Sequence, residues 1–270
     1  MTKFAAKTHP GRRPGPNEDA IGWNAERQVW FVADGMGGHV SGQVASQVVK
    51  SCILTSDAQC SMADTLVQAH LAILQAASAD DELTGMGATA VVAVVSRRSL
   101  EITWVGDSRA YLWRRGKLTQ ASRDHSFVEL LREQNLLSAE EIRNHPQANL
   151  VTRTLGHGDP VPSVVRQSLR SRDWILLCSD GLNDELDDEE MADILRGSSN
   201  VDEAADRLLA AALARGGRDN TSVAVVEYEG TRFGDTLQAL FGSPWAPIAL
   251  GACLAILVAA VIWSLVNGPG

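Results

Sequence analysis

Three times, in unrelated parts of the chain, an apolar run ends in an aspartate beside a glycine. The runs are Val29-Trp30-Phe31-Val32-Ala33-Asp34-Gly35, Ile102-Thr103-Trp104-Val105-Gly106-Asp107 and Ile175-Leu176-Leu177-Cys178-Ser179-Asp180-Gly181. Two more acidic clusters precede apolar runs: Asn17-Glu18-Asp19 before Ala20 to Trp23, and Asp219-Asn220-Thr221 before Ser222 to Val226. A single Asp-Gly is ordinarily a turn, because both residues tolerate positive φ. The set carries more weight. Core strands bring their ends to one rim of a sheet, and carboxylates gathered there repel one another unless cations neutralise them. Oxygen donors with no CxxC and no obvious His pair suit Mg²⁺ or Mn²⁺ better than Zn²⁺. Gly35, lacking a Cβ, is free to turn its carbonyl toward a cation held beside Asp34.

The elements that must position these acids are strands joined by short turns. Ala88 to Val95, the turn Ser96-Arg97-Arg98-Ser99 and Leu100 to Val105 predict a hairpin, and Ala110 to Trp113 turns again at Arg115-Gly116. Helical periodicity falls in neighbouring pairs, Ser41 to Leu54 with Ala63 to Ala77, and Glu189 to Leu195 with Asp202 to Ala214. Antiparallel hairpins with paired helices predict an α+β layered fold. The long segment His125 to His157, with a capping-box pattern at Ser138-Ala139-Glu140-Glu141, is expected to border the acidic site. The glycines after Asp34 do not meet GxGxxG spacing, and Ser108 lacks a GxSxG elbow, so a dinucleotide loop and a serine nucleophile both drop out.

Taken in order, a set of motifs resembles those of bacterial PP2C-type protein phosphatases over about residues 8 to 228. They are Asn17-Glu18-Asp19, Asp34-Gly35-Met36-Gly37-Gly38-His39 with Gly42 and Ala45-Ser46, Gly87-Ala88-Thr89-Ala90, Val105 to Tyr111, Leu150 to Gly156, Cys178 to Leu182 and Asp219 to Val223. The resemblance implies two central antiparallel β-sheets flanked by helix pairs. It also implies metal-dependent hydrolysis of phosphoserine and phosphothreonine in proteins. On the same grounds Asp34 would bridge two cations, Mn²⁺ or Mg²⁺, the Gly35 carbonyl would serve one of them, and Asp180 and Asp219 the other. Asp107 matches a residue associated with a third, weaker cation, and Glu18 or, preferably, Asp19 would orient the attacking water from within the metal shell. Two cations about 3.5 to 4 Å apart acidify a water and screen the phosphate during in-line attack, so no protein nucleophile is needed.

Two positions depart from the family pattern. Relatives place an arginine three residues before the Asn of the first motif; here that residue is Pro14, so Arg13 is expected to grip the phosphate, with Arg12 as the alternative. Some relatives carry a histidine, proposed as general acid, where this chain has Met36, with His39 three places later; the leaving-group proton is thereby unassigned. Rival readings are a noncatalytic membrane-bound adaptor for phosphoproteins and a hydrolase of small phosphoesters.

The net charge of −9 works against a nucleic-acid partner, which needs clustered cations, and 45% hydrophobic residues are ample for a core. Cys52, Cys60, Cys178 and Cys253 are scattered, as suits a reducing compartment. Ile248 to Val266 carries no charge and at about 1.5 Å per residue reaches about 28 Å, close to a bilayer core, which predicts a C-terminal transmembrane helix. The expected division is a catalytic domain over 1–230, a linker over 231–247, the membrane helix over 248–266 and a short tail over 267–270. With no apolar leader after Met1, the domain would face the cytoplasm from the inner membrane, near a membrane serine/threonine kinase and its substrates.

Overall fold

The computed structural model describes residues 2–38, 40–134, 141, 145–147 and 150–230. The chain divides into two units after Gly230, and the described residues belong to the first. The expected linker, membrane helix and tail, His39 and most of the Ser138 capping pattern lie outside the described residues. Among the described residues no helix is long and apolar enough to cross a membrane.

Strands are numbered in chain order. One five-stranded sheet runs β1 (Thr2–His9), β12 (Thr221–Tyr228), β11 (Asp173–Cys178), β8 (Arg109–Arg114), β9 (Lys117–Gln120). The other runs β10 (Ser163–Ser168), β7 (Ser99–Val105), β6 (Ala90–Ser96), β3 (Val29–Ala33), β2 (Ala20–Asn24). All their pairings are antiparallel. A two-stranded pair joins β4 (Gly35–Met36) to β5 (Gly87–Ala88). The β6–β7 hairpin closes on Ser96 opposite Ser99, with Arg97 at φ 53°, and β8–β9 turns at Arg115-Gly116, as the turn residues predict.

Three apolar clusters define the layers. Trp30, Val32, Val91, Ile102 and Leu112 pack with Ile175, Leu177 and Val226 between the sheets. Phe31, Val92 and Val105, on the opposite face of their strands, pack against α1 (Val40–Thr55) and α2 (Met62–Ala79) through Ala45, Val49, Leu66 and Ile73. Tyr111, Leu176, Val223 and Val225 face α5 (Asp188–Arg196) and α6 (Val201–Arg215) through Met191, Leu195 and Leu208. Strand alternation thus sends neighbouring residues to different layers, and β3 is buried along its whole length because both faces are covered. Each fully buried large side chain, such as Trp30 or Phe31, contributes about 1.5–3 kcal/mol.

Both helix pairs fall where the periodicity places them. Their starts are capped: Ser61 accepts from the Asp64 amide at α2, and Asp187 and Glu190 form a reciprocal capping box at α5. One strand escapes the sequence reading. Thr2–His9 alternates small, charged and apolar residues and ranks as no more than a charged leader by composition, yet it is an edge strand paired over its full length with β12. Lys3 and Lys7 suit such an edge, because they discourage further strand addition.

Candidate active site

The register of the sheets decides which acids meet. In one sheet Ala20 lies opposite Ala33 and Ala90 opposite Val105, so Asp19, Asp34 and Gly106 emerge at one rim. In the other, Cys178 lies opposite both Val223 and Arg109, so Asp180 and the residues before β12, including Asp219, emerge together. Asp107 sits in the three-residue step from β7 of one sheet to β8 of the other, joining the two rims. Helix α3 (Phe127–Glu133) follows His125, and a single turn, α4 (Asp180–Asn183), starts at Asp180 itself.

Backbone contacts fix this arrangement. A Cβ on Gly35 would fall 2.0 Å from the Gly42 carbonyl oxygen and 2.7 Å from that of Glu18, so only glycine lets β4, α1 and the first acidic loop converge. Gly181 approaches Asn220 just as closely, with 2.1 Å left between a Cβ and its carbonyl oxygen. The Asn220 side chain accepts from the Glu18 amide at 2.6 Å and donates to the Pro10 carbonyl at 2.9 Å, so the loop carrying Asp219 is tied to the loop carrying Glu18 and Asp19. The Thr89 amide donates to the Asp34 carbonyl at 2.8 Å, and the Thr89 and Ser108 hydroxyls pair at 2.7 Å.

Electrostatics record how tightly the acids are gathered. Burial, then the charges of Asp180, Asp19 and Asp107, hold the Asp34 carboxyl well above the usual carboxylate range. Burial, then Asp107, Asp184, Asp219 and Asp19, does the same for Asp180. Asp107 is pushed up to about 6 by burial and by Asp124. Asp19 is pushed up to about 6 by burial, which outweighs hydrogen bonds from Ser222 and Ser179. Its Oδ2 accepts from the Ser179 hydroxyl at 2.8 Å, while its buried Oδ1 has no hydrogen-bond partner. The charges of Asp34, Asp180, Asp19 and Asp107 act on one another, an arrangement of carboxylates that a proton or a cation would relieve.

Among the described residues no three or more His, Cys, Asp or Glu side chains are already arranged to hold a metal ion. The donor set nevertheless fits one. It consists of oxygens only, one of them buried and unpartnered, and its members repel one another strongly enough that divalent charge would relieve them. The expected ligands Asp34, Asp180 and Asp107 are thus neighbours, Asp219 acts on Asp180 and Asp19 from the exposed side, and Gly35 is in place beside them.

Arg12 and Arg13 are exposed on the turn before Asn17, and the Arg12 amide donates to the Gly217 carbonyl at 2.7 Å, which sets this turn against the loop leading to Asp219. Arg153 is exposed rather than paired with a core acid.

Several positioning residues carry no sequence signal as such. Glu185 is buried and accepts from the Arg218 amide at 3.0 Å and its Nε at 2.9 Å, steadying the residue before Asp219; the Arg218 guanidinium holds that carboxyl below its usual range. His125, which has no telling spacing, is a buried hub. Its Nδ1 accepts from the Gly106 amide at 3.1 Å, its Nε2 bonds Ser163 Oγ at 2.9 Å, and its ring stacks on Trp104. Burial pushes it down to about 4, which keeps it neutral. Arg109 forks onto Asp124, with Nη2 at 2.7 Å, and so fixes the start of β8 next to Asp107.

Comparison with known proteins gives one consistent result. The family model described as protein phosphatase 2C matches residues 14–221. The serine/threonine protein phosphatase PstP of Mycobacterium tuberculosis is 35% identical over 250 residues, 90% of this chain, but the chain spans only 48% of that relative. The serine/threonine phosphatase stp of Listeria monocytogenes is 34% identical over 84% of this chain and 96% of its own length. Among solved structures, that of M. tuberculosis PstP/Ppp superposes with a TM-score of 0.77 at 35% identity, covering 84% of this chain and 99% of the other. The PstP catalytic domain in complex with two manganese ions superposes at 0.75, with 32% identity over 84% of this chain and 97% of that one.

Proposed function

This chain belongs to the protein phosphatase 2C family, and we propose that it hydrolyses phosphoserine and phosphothreonine in proteins, using two Mn²⁺ or Mg²⁺ ions and a third, weaker one at Asp107. The observation that carries the reading is that the registers of both sheets bring Asp19, Asp34, Asp107 and Asp180 to one rim, where their charges act on one another. The manganese of the PstP relative supports the choice of ion. Asp34, the Gly35 carbonyl, Asp180 and Asp219 would hold the pair. Bound there, the ions supply an acidified water and positive charge beside the phosphate. Asp19 has one oxygen held by Ser179 and leaves Oδ1 to accept a hydrogen bond from that water and orient it. Arg13, or alternatively Arg12, would grip the phosphate from the turn that the Arg12 amide holds against Gly217. Met36 has no proton to give, so the leaving serine or threonine oxygen takes its proton from another group. An adaptor would have no use for four carboxylates whose mutual repulsion costs stability.

The uncharged stretch Ile248 to Val266 supports a membrane anchor, with the catalytic domain on the cytoplasmic face, where it would meet phosphoproteins such as the substrates of a membrane serine/threonine kinase. The test of the chemistry is phosphate release from a phosphothreonine peptide by the full chain, with Mn²⁺ and with chelator, alongside Asp34→Asn. Chelation and the substitution should each lower turnover by about 10³-fold or more. Turnover that survives both removes the metal mechanism.

A further inference from the structure

Beside the acidic rim lies an open cleft of ≈ 470 Å³ lined by Met36, Leu150, Val151, Thr152, Thr154 and His157. None of these carries a carboxylate, lysine or arginine, although a dense group of acids lies only two residues before Met36. Two backbone steps span about 7 Å, so the cleft opens within one or two peptide units of the site assigned to the phosphate.

Both walls are tied to that site. Met36 belongs to β4, where Gly35 pairs with Ala88. On its other side Ala88 exchanges hydrogen bonds with Leu155, at 3.0 Å and 2.8 Å, so β4, β5 and Leu155 lie side by side. Adjacent strands are about 4.8 Å apart, which puts Leu155 about 10 Å from Gly35 and makes this strip the floor between the walls. The far wall is fastened twice more. Thr152 donates to the His125 carbonyl through its amide at 2.7 Å and its hydroxyl at 2.9 Å, and the Phe127 amide donates to the Leu150 carbonyl at 2.9 Å. His125 in turn is clamped to Gly106, the neighbour of Asp107, by its amide and its Nδ1. Thr154 Oγ1 and His157 Nδ1 lie 3.2 Å apart, so the threonine hydroxyl already has a partner within the wall. Leu150, at 47% exposed, presents its side chain to solvent although it sits in a well-bonded segment.

We propose that this cleft is the subsite for an apolar side chain of the substrate protein, one or two residues from the phosphorylated serine or threonine. The inference rests on the phosphatase reading above and adds the sequence preference of the same site. A substrate peptide with its phosphate at the acids must lay a neighbouring residue across Met36 and Leu150. A leucine or phenylalanine there buries apolar area, whereas a glutamate would be desolvated without a partner in the direction of the acids. The occupant is an aliphatic or aromatic side chain of the substrate itself, because Met36 in the cleft wall is only two residues from Asp34.

The test compares kcat/KM of the Mn²⁺-loaded full chain on phosphothreonine peptides in which positions −2 to +2 are varied singly among Leu, Phe, Ala, Glu and Lys. N-acetyl phosphothreonine amide, which has no flanking residue, serves as reference. Leu or Phe should exceed Ala by about tenfold at one of the four positions, and Glu should fall below Ala. In Leu150→Glu the Leu-to-Ala ratio at that position should drop toward one and Lys should become the preferred residue. Leu150→Met, which conserves volume, should keep the wild-type ratio. Ratios taken within each variant cancel any loss of folded enzyme. Equal rates for Leu, Ala and Glu at all four positions, or a preference that Leu150→Glu leaves intact, would overturn the subsite. Failure of wild type to turn over the reference compound with Mn²⁺ would instead overturn the phosphatase reading on which it rests.

Discussion

At the scale of single residues, function here is written against stability. Asp34 and Asp180 are held well above the ordinary carboxylate range, and Asp19 and Asp107 rise to about 6, each with burial as the first cause and other acids adding to it. A carboxyl whose folded-state pKa exceeds its unfolded value binds more protons folded than unfolded. Stability is therefore highest at low pH and is lost as pH rises through the folded value. His125 works in the opposite sense: burial holds it near 4, so its contribution is present above its unfolded pKa of about 6.5 and is lost as pH falls from there. Between pH 8 and about 6.5 the histidine is neutral when folded and at most half protonated when unfolded, so the carboxylates dominate. Chelator-treated protein should accordingly gain Tm as pH is lowered across that interval, and thermal melts in a non-coordinating buffer would show it. With saturating Mn²⁺ the slope should reverse, because protons compete with the ions for the same oxygens. In Asp34→Asn the metal-free Tm should exceed wild type by several degrees at pH 8 while Mn²⁺ no longer raises it. A metal-free wild type that is as stable at pH 8 as at pH 6.5, and indifferent to Asp34→Asn, would mean the acids do not share a site.

At the scale of elements, glycines set how closely the site-bearing segments approach. Gly181 lets α4 meet the residue before β12, with 2.1 Å between a built Cβ and the Asn220 carbonyl oxygen; the obstacle is backbone, so it cannot swing aside. Gly181→Ala should cost about 1–3 kcal/mol as an overpacking change. It should also weaken Mn²⁺ binding at least tenfold by parting Asp180 from Asp219, with calorimetric titration as the readout. Unchanged affinity would show that the two loops are not positioned by this contact. Glu185→Ala tests the neighbouring brace. With the Arg218 amide and guanidinium released, the Asp219 loop loosens, and KM for the ion should rise about tenfold while the Tm falls by only a few degrees. These contacts explain what was legible in the sequence. Helix pairs and hairpins were, because periodicity and turn residues are local. The five acids were too, because Asp34, Asp107 and Asp180 sit beside glycine at strand ends, and Asp19 and Asp219 lie in clusters just before apolar runs. His125, Glu185 and the Asn220 tie were not, since each gains its role from a partner 19 to 202 residues away that no spacing announces. β1 was hidden for a related reason: its covered positions are mostly small, Ala5 on one face and Ala6 beside Phe4 on the other, and its partner β12 is at the other end of the domain.

At the scale of the molecule, that pairing defines where the folded unit ends. Thr2 lies opposite Tyr228 and His9 opposite Thr221, so the first and last strands close the same sheet, and the division of the chain after Gly230 follows within two residues of the last strand. Every described residue that shapes the acidic rim and the apolar cleft lies before that division. Removal of the two ends should therefore have opposite consequences. A fragment ending at Gly230 keeps every described strand and should match the full chain in Tm and in turnover of a soluble phosphothreonine peptide to within about twofold. Deletion of Thr2–His9 exposes the ladder of β12, strips cover from the Ala5 and Val225 layer against α6, and should leave no cooperative melt. If Ile248 to Val266 anchors the protein, the full chain expressed in cells should stay with membranes through an alkaline carbonate wash, and the fragment should be released by cell breakage alone. Turnover of a substrate reconstituted in the same vesicles should then fall far more on truncation than turnover of the free peptide, since the anchor acts by local concentration and not on the chemistry. Full-length protein recovered in the soluble fraction would dispose of the anchor and leave the catalytic proposal standing. Equal loss of both activities would instead place residues beyond Gly230 within the catalytic fold.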